Sequence, residues 1–158
     1  MLVYCQTPKT VVMATVTGSD GIVRMLADDI NQPGLIFEPK PLQPIVEQIT
    51  TQLQSRSDVR EDSLRFHIRA NYTDELTLSD GVTATLYIAT ATASQKSLSG
   101  IEGGDGSSWR SIPDVLRSMP QNRSRLVYLR AWQVLLGALE DGVKAIDFDE
   151  AMRHLNRN

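Results

Sequence analysis

Residues 82–93, "VTATLYIATATA", constrain the fold more than any other stretch of this chain. The run is β-branched and apolar enough to be a long strand, yet its Thr and Ala fall on both sides of the period-two alternation. A strand of that makeup is covered on both faces or nearly so, and the covering layers must come from elsewhere in the chain. Helical periods supply them. In "NRSRLVYLRAWQVLLGALEDG" (122–142), Tyr128, Leu129, Trp132, Leu135, Leu136 and Leu139 form one wide apolar stripe, with Gly142 suited to the helix stop. A second helix is expected over "SIPDVLRSM" (111–119), capped by Ser111 ahead of Pro113. The tail opens with Asp147-x-x-Glu150, which has the form of a capping box, and continues as a short amphipathic helix.

The first half alternates in the same way. "TVVMATVT" (10–17) and "IVRMLAD" (22–28) flank Gly18-Ser19-Asp20-Gly21 and predict a β-hairpin. "LIFE" (35–38) reads as a brief strand after turn residues 29–34. In "PLQPIVEQITTQLQSRS" (41–57), Leu42, Ile45, Val46, Ile49 and Leu53 fall three and four apart, one stripe of a helix with Pro41 and Pro44 in its first turn. "LRFHIRANY" (64–72) alternates as a half-buried strand, with Leu64, Phe66, Ile68 and Ala70 on one side and Arg65, His67 and Arg69 on the other. "DELTLSDG" (74–81) turns the chain, and residues 94–108 form a Gly/Ser loop. These periods predict a single domain over 1–158, of α/β (α+β) class, with a mixed sheet sandwiched between helices.

Bulk properties narrow the function classes. The 158 residues suffice for a full core, and 41% hydrophobic with 22% charged is ordinary for a globular protein. A net charge of -3 gives no electrostatic reason to expect nucleic-acid binding. No apolar run reaches the roughly 18 residues of a membrane helix, and no membrane association is expected. Cys5 is the lone cysteine, so no internal disulfide can form; a reducing, cytoplasmic setting is the expectation, with Cys5 a frayed or half-buried thiol rather than a nucleophile. His67 and His154 have no Cys/His spacing for zinc. "GGDGSSW" carries neither a P-loop lysine nor a nucleophile elbow, and the acids Glu102, Asp80, Asp105 and Asp114 read as solvated loop groups.

The order of hairpin, Gly34-initiated turn ending in Glu38-Pro39, helix, strand pair, and then Trp109 with "IPDVLRSMP" before a long closing helix resembles the Nudix fold, over about residues 8–140. The resemblance implies an α/β sandwich. It also implies a helix of carboxylates that hold magnesium against a diphosphate. This chain departs from that motif. With Leu53 at the aliphatic position, Thr51 and Gln52 stand where Arg-Glu is wanted, and Ser55 and Arg56 stand where Glu-Glu is wanted. Glu47 is the only acid on the helix. The implied domain is therefore catalytically degenerate, with no metal and no cofactor, binding a nucleotide-like or phosphorylated ligand or a protein partner.

The residues assigned to that binding are Arg65, His67 and Arg69, aimed together to grip phosphate or carboxylate, and Trp109 at a pocket rim. Arg123, Arg125 and Arg130 read equally as helix solubilisers or as a second anion patch, and Trp132 as core. An alternative keeps an active hydrolase that uses Glu38, Glu47, Glu61 and Asp62 with Mg²⁺. A third reading is an assembly subunit that pairs as a homodimer through an apolar helical face.

Overall fold

Two long strands from opposite halves of the chain lie side by side and parallel, and the rest of the fold is arranged around them. The structure is a computed structural model that describes residues 8–18, 21–56, 59, 64–69, 72–93 and 108–139. Its first half comprises β1 (Lys9–Thr17), β2 (Val23–Leu26), β3 (Leu35–Phe37) and α1 (Ile45–Gln54). The second comprises β4 (His67–Ile68), β5 (Asp74–Thr77), β6 (Thr83–Thr92), β7 (Trp109–Ser111), α2 (Ile112–Ser118) and α3 (Arg123–Leu139). β1 and β6 stay in parallel register from Lys9 opposite Ala84 to Thr17 opposite Thr92. Beyond β6, β5 pairs antiparallel along its first half and β4 along its second. Beyond β1, β3 and β2 share the edge in the same way, and β7 adds to β2. The result is a mixed sheet of seven strands, sandwiched between helices as the periods predict.

Alternation along the central strands divides the core into two layers. Val11, Met13, Ala84, Leu86 and Ile88 face α2 and α3, where Ile112, Leu116, Tyr128, Leu129 and Leu135 meet them. Val12, Ala14, Val16, Ala89 and Ala91 face the other way, onto Ile49 and Leu53 of α1 and onto Val59 and Leu64. The middle of β6 is thus covered on both faces, where small Ala side chains let each layer approach the sheet closely, while its end residues Thr83 and Thr92 are exposed. Burying Ile49 and Leu53 contributes about 1.5–3 kcal/mol each.

Each hairpin turns through a glycine of positive φ. In the second, Gly81 N–H donates to Leu78 C=O at 2.9 Å and Leu78 N–H to Val82 C=O at 2.9 Å. In the first, Gly21 N–H donates to Gly18 C=O at 3.0 Å and Gly18 N–H to Ile22 C=O at 3.0 Å. Gly21 (φ +79°) and Gly81 (φ +86°) hold the left-handed position that a three-residue loop with a bulge requires. Gly34, at φ +104°, has a different reason: a Cβ there would lie 2.5 Å from the Val12 carbonyl oxygen of β1.

Four expectations need correction. The helix does not start at Pro41. It starts at Ile45, after a turn in which Leu42 adopts φ +66° and is fully exposed, and Val46 also faces solvent. The apolar stripe therefore narrows to Ile45, Ile49 and Leu53. The strand over 64–72 shrinks to His67–Ile68, because Leu64 folds back to donate its N–H to Val59 C=O at 3.2 Å. Residues 74–77, assigned to a turn, form β5, with Leu76 in the core. Trp109–Ser111, assigned to loop and helix start, form β7. The α2 cap is as expected, Asp114 N–H donating to Ser111 Oγ at 3.4 Å. Of the α3 stripe, Tyr128, Leu129 and Leu135 are buried while Trp132 and Leu136 are half-buried. Cys5, Ala70, Gly142, His154, the loop 94–107, the tail helix and the side chain of Leu139 lie outside the described residues.

Candidate functional site

The cleft in front of α1 is where the resemblance would put metal chemistry. It is small, about 130 Å³, and Glu38 and Glu47 both line it, together with Lys40, Gln48, Thr51 and Gln52. Gln48 is buried and its amide is fully used: Oε1 accepts from Lys40 N–H at 2.7 Å, while Nε2 donates to Lys40 C=O at 3.0 Å and to Gln43 C=O at 2.9 Å. Arg56, standing for a motif glutamate, instead pairs with Asp28 at 2.8 Å and ties the end of α1 to the segment after β2. Two exposed carboxylates beside an ammonium, with the nearest amide oxygen already engaged, fit a hard cation that wants several oxygens poorly. Glu61 and Asp62 lie outside the described residues. Among the described residues no three His, Cys, Asp or Glu side chains converge.

The cationic face has a better-defined setting. Phe66 and Ile68 pack into the α1 layer, so His67 between them turns to the opposite face of the sheet. Arg69, whose N–H donates to Ile88 C=O at 2.9 Å, continues that pairing, and Arg65 lies just before the strand, exposed. His67 sits opposite Thr90, and Thr90 in turn opposite Thr15. Thr90 and Thr92 share the face of Ile88, since Ala89 and Ala91 between them point into the α1 layer. Arg65, His67 and Thr92 are exposed; Arg69 and Thr90 are half-buried. Thr15 is buried, its hydroxyl donating to Ala89 C=O at 3.1 Å. The group lies at the carboxyl ends of the two parallel strands, the end at which open α/β sheets hold their ligands. Guanidinium, imidazole and hydroxyl groups are donors of the kind that a phosphate or carboxylate oxygen accepts. Alternation in the sequence brought out the three basic residues. Thr90 and Thr92 could not be matched to them without the strand register.

Trp109 is not at a rim. It is 3% exposed, sits opposite Leu26 in the ladder, and stacks on Phe66 with ring centroids 6.2 Å apart and planes inclined by 16°. It braces the layer beneath the cationic face and offers a ligand no surface. Arg125 is also not a surface solubiliser: it is buried on α3, and burial lowers its pKa. Arg123 and Arg130 are exposed.

Among the described residues no helix is long and apolar enough to cross a membrane. No family model, no curated protein and no solved structure matches the chain.

Proposed function

We propose that this chain is a ligand-binding domain of Nudix-like layout without that family's metal chemistry, and that it holds a phosphorylated or nucleotide-like small molecule. The observation that supports this reading is the grouping of Arg65, His67 and Arg69 with the Thr90 and Thr92 hydroxyls at the carboxyl ends of β1 and β6. Two guanidinium groups can take a diphosphate in paired N–H···O bonds, and the imidazole adds a further donor. Calorimetric titration with inorganic pyrophosphate and with a nucleoside diphosphate tests it. Saturable binding is expected, weakened about tenfold or more by Arg65→Ala and by Arg69→Ala. The reading fails if neither probe saturates, or if both variants bind as the parent does.

A second reading rests on Glu38 and Glu47 lining one cleft. As an active hydrolase the chain would release phosphate from a nucleoside diphosphate in magnesium, and Glu47→Gln would abolish the release while leaving pyrophosphate binding at Arg65 intact.

A further inference from the structure

The outer edge of β5, together with α3, forms a groove of about 740 Å³, with Leu126, Val127 and Arg123 on the helix side and Glu75 and Thr77 on the strand side. Among the described residues no strand pairs with this edge. Its hydrogen-bonding groups can be assigned one by one. Leu78 N–H points to β6, where it reaches Val82, so Leu76 and Asp74 point the same way and Glu75 and Thr77 point outward. Of the four outward backbone groups, Glu75 N–H donates to the Asp74 carboxylate at 2.8 Å, and Thr77 C=O accepts from Ser124 Oγ at 3.2 Å. Thr77 N–H and Glu75 C=O remain. They flank Leu76, the spacing at which the N–H and C=O of one residue in an added parallel strand would satisfy both.

We propose that this groove takes an extended, acidic peptide segment of a protein partner as an additional strand beside β5. The unused donor and acceptor, on exposed residues, match the backbone of an extended occupant, and the side chains set its sequence. The residue opposite Leu76 would turn its side chain to the α3 face, over Leu126, which is 38% exposed. Side chains two residues to either side share that face and reach toward Arg123 at one end. At the other end is Arg130, which is 48% exposed even though it bonds Asp74 at 2.7 Å. The recognised pattern is an apolar residue with a carboxylate two positions away. This site is separate from the anion-binding face at Arg65 and His67 and stands or falls without it.

A phage-displayed random peptide library, panned against the whole chain, tests the assignment. Peptides of the acid-x-apolar pattern are expected to be enriched. Thr77→Pro, which removes the outward N–H without touching the β6 ladder, and Arg123→Glu should each weaken a synthetic copy of the enriched peptide at least tenfold. The circular dichroism of both variants should stay unchanged. If Thr77→Pro does not fold, methylating the central amide nitrogen of the synthetic peptide asks the same question from the other side and should also abolish binding. No enrichment over an unrelated protein overturns the proposal. So does binding that survives either the proline or the methylated amide.

Discussion

The side-chain amide of Gln48 closes on both peptide groups of Lys40, accepting from its N–H at 2.7 Å and donating to its C=O at 3.0 Å. A residue inside α1 thereby fixes the turn that precedes the helix, in place of the missing cap at Pro44, which has no side chain able to accept. Gln48→Leu keeps the volume and leaves three backbone groups of that turn without their partners. A loss of about 1–3 kcal/mol is expected in urea denaturation. Glu47→Gln, next door and exposed, should leave the midpoint unmoved.

Gly34 and Gly81 both have positive φ, but only Gly34 is pressed against a neighbouring strand. Gly81→Ala should cost about 1–2 kcal/mol, the ordinary penalty of a left-handed alanine, because its Cβ would meet nothing within 4 Å. Gly34→Ala adds a collision with the Val12 carbonyl oxygen, and about 3 kcal/mol or more is expected. Equal losses for the two variants would show that the β1–β3 contact yields more easily than its geometry indicates.

Leu42 combines a strained backbone with a side chain that touches nothing, so little native contact is lost on replacing it. Leu42→Asn should raise stability by about 0.5–1 kcal/mol, since Asn adopts this conformation more readily. A destabilised variant in thermal denaturation would mean that Leu42 makes contacts the fold does not record.

Stability should fall above pH 10. Burial, then the charge of Asp74, then its 3.3 Å hydrogen bond raise the Tyr72 hydroxyl to about 12, only partly offset by Arg130. Burial also raises Tyr128, whose hydroxyl donates to Pro33 C=O at 2.6 Å. Between the unfolded and folded pKa values the folded chain keeps protons that the unfolded chain has released, so unfolding gains as pH rises. The contribution is whole below pH 10 and is lost as pH climbs through 12. Urea titrations at successive pH values should show a shallower decline for Tyr72→Phe than for the parent.

Long periodic elements were legible because their local pattern agrees with their burial: β1, β6, α2 and α3 all lie where periodicity puts them. β5 was not, since Asp74 and Glu75 are poor strand formers, and Asp74 instead serves Tyr72, Arg130 and the Glu75 N–H. Its signal was nevertheless present in the second Ser-Asp-Gly, identical in sequence to residues 19–21. Counting positions also drew Leu42 and Val46 into the α1 stripe, although the backbone of the Pro41–Pro44 turn forbids a helix before Ile45. For the candidate site, alternation in the sequence pointed to Arg65, His67 and Arg69, of which β4 itself contains only His67. The burial of Trp109 and the approach of Thr90 depend on pairings between distant segments, and no local pattern encodes those.

The seam between β1 and β6 also orders events in time. Thr15 and Ala89, joined across it, are 74 residues apart, whereas each hairpin closes over three. The two hairpins can therefore zip in microseconds as separate pieces, and their meeting sets the pace of refolding. During synthesis on the ribosome the first hairpin has to wait, one edge bare, until the chain through Thr92 has emerged.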